Sequence, residues 1–352
     1  VMKGFFQQVL ASMVGFVLAY IVVFVISIFL AVGVMSFVAK KAIEKEGDIE
    51  ENSILKISLN YPIQERVEEM PFNLEFLDED FSMPVSFKSI LDRIGQAKGD
   101  ENIKGIYLDL TLAEASYAAL EGIRDALEDF KESGKFVVAY SNIMTEKAYY
   151  LASVADEVYL QPEGMFFFDG FHTEMIYLRG MFDRLNIEPT VIRVGEFKSA
   201  GEMFDQYEMS DAERKQQEAY LFPLYDSFLA DIGRSRDLKP AYLKEVANDL
   251  KVHDAEDALK YKLIDGLKYN DEFIELMKEK AGAGEDKPNL VKLKSYKPGE
   301  KSKKGKGYSK DRIALIYAVG AINMGNGSLE SVGADKLSKS IRQARKNDKV
   351  KA

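Results

Sequence analysis

The sequence IKGIYLDL, at residues 103–110, decides the fold of this chain. It is a nearly continuous apolar run, which is typical of a strand that is buried on both faces of a sheet. The pattern next predicts a helix over Glu114–Lys131, ended by Ser133 and Gly134, and then a strand over Phe136–Tyr140. Because strand, helix and strand alternate, we expect an α/β fold with a parallel sheet and right-handed crossovers.

The same alternation extends in both directions from this unit. Further strands are predicted at Ile54–Leu59, Val158–Leu160, Thr190–Val194 and Arg312–Val319, and a turn into a short closing strand at Lys262–Leu267. Further helices are predicted at Phe87–Ala97, Thr145–Val154, Glu174–Leu185, Asp211–Ile232, Pro240–Leu250, Asp254–Tyr261 and Asp271–Lys280. The sequence Gln161–Gly164 is predicted to close its strand, and Ser210–Glu213 has the pattern of a capping box.

Composition excludes several classes of function. The 352 residues carry a net charge of -10, which argues against a nucleic-acid partner, because such proteins present a basic surface. There is no cysteine, so disulfides and thiolate chemistry are excluded. The two histidines, His172 and His253, have no His or Cys at ligand spacing, and we expect neither a metal site nor a cofactor.

The N-terminal segment is predicted to be a membrane anchor. No charged residue occurs from Gly4 to Ala39, and the apolar run Val9–Val38 is long enough to cross a bilayer. It is longer than the apolar region of a signal peptide, so we expect an uncleaved, single-pass helix rather than a buried core helix. Charge does not decide its orientation, because lysines lie on both sides of it.

The chain divides into four predicted regions, one of which begins an internal repeat. An anchor with its connector occupies residues 1–45, a first α/β unit 46–280, and a linker rich in Lys, Gly and Pro 281–310. In the remainder, 311–352, the segment Gln343–Ala352 corresponds position by position to Gln96–Gly105. We therefore expect a second copy of the unit, truncated where its next strand should begin.

One candidate for chemistry is Lys198, in the stretch Val191–Glu202. The β-branched run before Gly195 predicts a strand, the glycine a tight turn, and the residues after it a helix start. The small residues Ser199 and Gly201 let other groups approach closely, and desolvation would favour the neutral amine, which can act as a base. From spacing alone, a solvated surface lysine at a strand–helix junction remains an alternative.

Three motifs, in this order, give the chain a specific resemblance. They are YYLASVAD at Tyr149–Asp156, the pair Gly170-Phe171, and RVGEFKSA at Arg193–Ala200. With the anchor and the repeat, these motifs make the chain similar to the bacterial signal peptide peptidase family, in its long, two-copy protease IV form. The resemblance implies a ClpP/crotonase-like fold for each copy and a peptidase that uses a Ser-Lys dyad.

The resemblance also implies the roles of individual residues. Lys198 falls on the general base, whereas the serine nucleophile of a Gly-Gly-Ser motif is expected beyond residue 352. In the first copy, the equivalent position reads Glu114-Ala115-Ser116, and we expect Ser116 to begin a helix rather than to act as a nucleophile.

The expected function follows from this family. We expect a membrane-anchored serine endopeptidase that degrades cleaved signal peptides and other apolar peptides. It would lie in the bacterial inner membrane with its bulk on the periplasmic side, as a homo-oligomer that the family implies is a tetramer. The alternative is a non-catalytic ClpP/crotonase-like scaffold that binds peptides or assembles.

Overall fold

A computed structural model describes residues 4, 12–30, 33, 49–65, 67, 85–111, 113–284, 287–296, 310–328 and 331–352. The chain divides into two units, one holding the described residues before Glu50 and one holding the rest of the described chain. In the first, helix α1 spans Ser12–Leu30 and has a mean hydropathy of 2.9. Its 19 residues extend about 29 Å, so it is long and apolar enough to cross a membrane. The remainder of the predicted Val9–Val38 span, except Gly33, lies outside the described residues.

The second unit is built on a parallel sheet, as predicted. The strands are β1 (Ser53–Ser58), β2 (Ile63–Gln64), β3 (Val85–Ser86), β4 (Ile103–Asp109), β5 (Phe136–Met144), β6 (Glu157–Phe166), β7 (Gly266–Leu267), β8 (Leu290–Lys292), β9 (Ala321–Asn323) and β10 (Ser331–Gly333). Within the described residues, six of them form one sheet in the order β7-β6-β5-β4-β1-β8, and every neighbouring pair is parallel. Two smaller parallel pairs join β2 to β3 and β9 to β10.

Helices connect and cover these strands. They are α2 (Phe87–Lys98), α3 (Tyr117–Lys131), α4 (Glu146–Ala152), α5 (Arg179–Arg184), α6 (Glu202–Asp205), α7 (Asp211–Arg236), α8 (Pro240–Asn248), α9 (Ala255–Lys260), α10 (Asn270–Ala281) and α11 (Ala334–Lys346). Short 3-10 helices occur at Ser199–Gly201 and Leu293–Ser295. The predicted helices over Phe87–Ala97, Asp211–Ile232 and Asp271–Lys280 are confirmed within a few residues.

The core lies on both faces of the central strands. In β4, Ile106 and Leu108 are fully buried, and Tyr107 between them is nearly so. Because side chains alternate along a strand, Tyr107 faces the other side of the sheet, where Phe273 of α10 lies 4.8 Å away between ring centroids. Tyr140 of β5 stacks on the same ring at 4.4 Å. Strand β4 is therefore buried on two sides, as its composition predicts.

A buried arginine ties the long helix α7 to this core. Arg124 of α3 is 2% exposed and donates to the carbonyl of Tyr150 and to the hydroxyl of Ser153 at 2.7 Å. Its other terminal nitrogen donates to the carbonyl of Asp231 at 3.2 Å and to the hydroxyl of Ser235 at 2.7 Å. One side chain thus joins α3, α4 and α7, and α7 has a fixed position relative to the sheet.

Several predicted elements are wrong or incomplete. Thr190–Val194 pairs with no described strand, and the helix predicted over Glu174–Leu185 forms only at Arg179–Arg184. The strand at Val158–Leu160 continues to Phe166, but Gln161–Gly164 form a bulge in β6: Ser141 pairs with Leu160 and Ile143 with Met165, so pairing to β5 resumes after these four residues.

Two further corrections concern the end of the chain. Arg312–Val319 forms no ladder with any described residue; Arg312 makes a parallel bridge to Val350, and the amide of Ala314 donates to the carbonyl of Ala352 at 2.8 Å. The segment 281–310, predicted to be a linker, contains β8, which pairs with β1 at the edge of the main sheet. Tyr296 just after it is buried and donates to Asp100 at 3.0 Å. Part of this segment therefore packs on the main sheet, with the predicted α/β unit 46–280.

The two predicted repeats form the same local hydrogen bonds. The amide of Ser53 donates to the carbonyl of Asn102 at 2.9 Å, and the amide of Arg312 donates to the carbonyl of Lys349 at 2.6 Å. In the sequence correspondence, Asn102 and Lys349 are equivalent. Both of their amides donate to the side-chain oxygen of the residue two positions earlier, Asp100 or Asn347, at 3.1 Å in each case.

The short elements before these turns also correspond. A parallel pair of short strands precedes a helix in each copy: β2 and β3 precede α2, and β9 and β10 precede α11. The second copy has 13 fewer residues between its two short strands, with 20 between Gln64 and Val85 and 7 between Asn323 and Ser331. Sequence correspondence and backbone pairing therefore agree, while the region boundaries drawn around them stay a prediction.

Candidate active site

Lys198 lies in residues 169–227, which we call the lysine lobe. In sequence this lobe follows the buried Phe168 and precedes the buried Phe228. All residues of this lobe are described, and it has no apolar core of its own. Its buried side chains are two carboxylates, Glu202 at 3% and Glu213 at 2% exposure. The fold of the lobe therefore depends on polar contacts to an unusual degree.

The turn that carries Lys198 has the shape the sequence predicts. Gly195 has φ +106°, a conformation that glycine adopts without strain, and its carbonyl accepts from the amide of Lys198 at 3.3 Å. The 3-10 helix Ser199–Gly201 starts immediately afterwards and leads into α6. The side chain of Lys198 is exposed.

The small residues beside Lys198 serve packing within the lobe. A β-carbon on Gly201 would lie 2.4 Å from Cγ1 of Val191, so this glycine lets the extended segment before the turn pack on the segment after it. The hydroxyl of Ser199 accepts from the side-chain amide of Gln216 on α7 at 3.3 Å. These contacts pack the segments on either side of the turn against each other and bind the turn to α7.

Glu202 connects the lysine turn to the start of α7. Its carboxylate accepts from the hydroxyl of Ser210 at 2.9 Å and from the amide of Ser210 at 3.4 Å. The guanidinium of Arg193 lies 3.9 Å from Glu202 and 3.6 Å from Asp205. A carboxylate at the N-terminus of a long helix is also favoured by the helix dipole.

The predicted capping box at Ser210 is only half formed by its own residues. The hydroxyl of Ser210 accepts from the amide of Glu213 at 3.1 Å, as the pattern requires. The side chain of Glu213, however, accepts from the hydroxyl of Tyr177 at 2.8 Å and not from the amide of Ser210. The amide of Ser210 donates instead to the carboxylate of Glu202, eight residues earlier. Sequence reasoning missed this role, because no local spacing signals a cap that comes from another element.

The base of the lobe is held by the Gly170-Phe171 motif. The ring of Phe171 packs against Tyr117 and Phe228, at centroid distances of 4.9 and 5.0 Å. The amide of Gly170 donates to Glu146 at 2.8 Å. Burial raises the pKa of Glu146 to about 7, although the amides of Gly170 and Asp169 oppose that shift.

The other motif residues and candidates have structural positions. Tyr149 donates to the carbonyl of Leu263 at 2.8 Å, and Tyr150 donates to Asp231 at 2.7 Å. Ser116 caps α3 by accepting from the amide of Ala119 at 3.2 Å, which confirms its predicted place at a helix start. His172 and His253 are both exposed.

Comparisons with known proteins converge on one family. Residues 129–284, which include Lys198 and both buried glutamates, match the family model described as peptidase family S49. The chain is 30% identical over 277 residues to the protein named serine protease SPPA, chloroplastic, of Arabidopsis thaliana, covering 77% of this chain and 41% of that protein. It is 32% identical over 275 residues to protease 4 of Salmonella typhi, covering 76% and 44% respectively. The match to protease 4 of Haemophilus influenzae is similar, at 30% identity, 76% and 45%. The chain thus spans less than half the length of these relatives.

Proposed function

The chain belongs to peptidase family S49, and on this premise we propose that it is the base-bearing part of a membrane-anchored serine endopeptidase that degrades cleaved signal peptides. Its parallel six-stranded sheet is the ClpP/crotonase-like fold of that family. The observation that carries the proposal is that the matched segment, 129–284, contains Lys198 on an ordered turn with its amine open to a partner group.

We assign Lys198 the role of general base. The neutral amine would take the proton of a serine hydroxyl, whose oxygen would attack the peptide carbonyl. The ammonium so formed would give that proton to the leaving amine as the peptide C–N bond breaks, which leaves an acyl-enzyme and a neutral lysine. Water, deprotonated in turn by the amine, would release the acid product. The serine is assigned to the second repeat, after residue 352, by the family resemblance. Because the amine is exposed in this chain, the second repeat or another subunit would also have to shield it from water.

Apolar peptides are the proposed substrates. Ile192 and Val194, in the extended segment just before the lysine turn, are 91% and 87% exposed. Their alternation puts both on one side of an extended backbone whose amides and carbonyls are not paired in a sheet. A peptide, or the neighbouring repeat, could add a strand there and cover both side chains.

We propose that α1 anchors the enzyme in the inner membrane, with the second unit on the periplasmic side. The support is the length and hydropathy of α1 together with the relatives named protease 4. We also propose a homo-oligomer, a tetramer by family resemblance. Exposed apolar side chains in 311–352, with Ile313 at 82%, Ile322 at 84% and Met324 at 92%, support a partner surface there.

A non-catalytic scaffold is the second candidate, because the same exposed apolar residues would serve assembly without chemistry. The test is turnover of an apolar fluorogenic peptide by a longer form that includes the complete second repeat. Lys198→Ala should lower kcat at least about a hundredfold, and Lys198→Arg should do the same because a guanidinium cannot accept the proton. Lys215→Ala, an exposed lysine of the same lobe, is the matched control and should retain activity. Residues 1–352 alone should be inactive. Full turnover by Lys198→Ala would point to an unrelated catalytic site, whereas no turnover by the wild type would favour the scaffold.

A further inference from the structure

The lysine lobe is organised around buried carboxylates instead of a hydrophobic core. A buried carboxylate is costly unless hydrogen bonds and positive charge compensate for the lost hydration. Glu202 has both, from the amide and hydroxyl of Ser210 and from the guanidinium of Arg193. These bonds join parts of the lobe that no buried apolar side chain joins.

Glu202 lies where it can set the direction of the lysine turn. Only the 3-10 helix Ser199–Gly201 separates Lys198 from Glu202. Both oxygens of the glutamate accept from Ser210, the N-cap residue of α7, while Arg193 connects the same carboxylate to the extended segment that enters the turn. The segments before and after the turn are therefore both connected to the N-terminus of α7.

That helix start is itself fixed to the sheet. The C-terminal half of α7 buries Phe228, Leu229 and Ile232 and receives two hydrogen bonds from Arg124. Contacts thus lead from the core, along α7, through Ser210 to Glu202, which the 3-10 helix Ser199–Gly201 joins to Lys198. No other side chain of the lobe except Glu213 is as well buried, and Glu213 bonds to Tyr177 and not to the turn.

We propose that Glu202 is a positioning residue for Lys198, which holds the lysine turn on the N-terminus of α7 through Ser210 and Arg193. The inference rests on the proposed role of Lys198 as the base. In this role Glu202 carries no proton in the reaction. Its role is to connect Ser210 to the turn through its side-chain oxygens. Glutamine, which has the same shape and one such oxygen, would keep part of that connection.

The first measurement is amide hydrogen exchange in residues 1–352. Exchange at 195–201 should accelerate at least about tenfold in Glu202→Ala and in Ser210→Ala, while exchange in β4 stays unchanged. Glu202→Gln keeps an oxygen that can accept from Ser210 and should show a smaller increase. Glu208→Ala, an exposed glutamate of the same lobe, is the control and should behave as wild type. Unchanged exchange at 195–201 in both alanine variants would overturn the proposal.

The second measurement is peptidase activity of the form with the complete second repeat. Glu202→Ala should lower kcat more than it changes KM, Glu202→Gln should recover a large part of the loss, and neither should move the pH midpoint of kcat. If Glu202→Gln is as inactive as Glu202→Ala, or shifts that midpoint, Glu202 is more than a positioning residue and the proposal is wrong. Since hydrogen exchange does not depend on catalysis, a failure of Lys198 as the base would appear in the activity of Lys198→Ala and leave the exchange result unaffected.

Discussion

The amide of Gly170 donates a hydrogen bond of 2.8 Å to the carboxylate of Glu146, and this bond lies where the lysine lobe leaves the body of the protein. Gly170 has φ +94°, so the amide reaches this position in a conformation that glycine adopts easily. Glu146 is the first residue of α4, after its cap Thr145. The bond therefore connects the lobe to a helix that packs beside the sheet.

The raised pKa of Glu146 predicts a pH dependence of stability. In the folded protein the pKa is raised by burial to about 7, from an ordinary value of 4.5. The folded state then binds the proton more tightly than the unfolded state, so this group lowers the free energy of unfolding as pH rises from about 4.5 to 7. The effect can reach about 3 kcal/mol and is complete above the folded pKa.

Glu146→Gln should remove this contribution. Urea unfolding of the variant at pH 5 and pH 8 should show a smaller fall in the free energy of unfolding over that interval than wild type shows. Glu163→Gln, at an exposed position, is the control and should keep the slope of wild type. An equal fall in wild type and Glu146→Gln would show that Glu146 does not cause this pH dependence.

Arg124→Met should destabilise the fold by about 2–4 kcal/mol. The substitution keeps a long apolar side chain but removes the guanidinium donor from the buried carbonyl of Tyr150, which keeps the hydroxyl of Ser153, and from the partly buried carbonyl of Asp231. Arg184→Met, at an exposed position on α5, should change stability little. The measurement is the urea midpoint with its slope, and a loss below 1 kcal/mol in Arg124→Met would mean that water replaces the guanidinium.

The proposed orientation of the anchor predicts the exposure of the second unit in cells. In intact spheroplasts, added protease should digest the chain after Lys45, because that part would face the periplasm. A cytoplasmic protein serves as the control for membrane integrity and should survive. Protection of the region after Lys45 until detergent is added would reverse the orientation.

The exposed apolar residues predict how the soluble part behaves alone. Residues 46–352 should bind an apolar fluorescent dye or self-associate in light scattering, because Ile192, Val194 and the apolar side chains of 311–352 are open to water. Replacing Ile192 and Val194 by serine should lower dye binding without lowering the unfolding midpoint. A stable monomer without dye binding would count against the proposed assembly.

The sequence and the structure agree where local pattern and final environment coincide. The apolar faces of Phe87–Lys98 and Tyr117–Lys131 repeat with helical spacing, and the repeat at Gln343–Ala352 preserves backbone bonds as well as residue types. The extended run at Thr190–Val194 has the composition of a strand, yet strand propensity is realised only where a neighbouring strand pairs with it. No described strand does so, and Ile192 remains in solvent.

The parts that sequence reasoning missed depend on distant partners. Glu202 caps a helix that starts nine residues later, and the pattern at Ser210–Glu213 pointed to Glu213 instead. Leu290–Lys292 is too short and too basic to stand out as a strand, but its partner Ile54–Lys56 lies 236 residues earlier. Neither pairing leaves a periodic signal in the sequence around it.

The position of β8 has a practical consequence for shortening the chain. β8 lies on the open side of β1, where the amide of Ile54 donates to the carbonyl of Asn289 at 2.9 Å. A form that ends at residue 280, where the composition changes, would leave the β1 edge unpaired and ready to recruit a strand from another molecule. A form that ends after Tyr296 keeps that edge covered and keeps the tyrosine on Asp100. The form that ends at residue 280 should therefore aggregate more during expression than the form that ends after Tyr296.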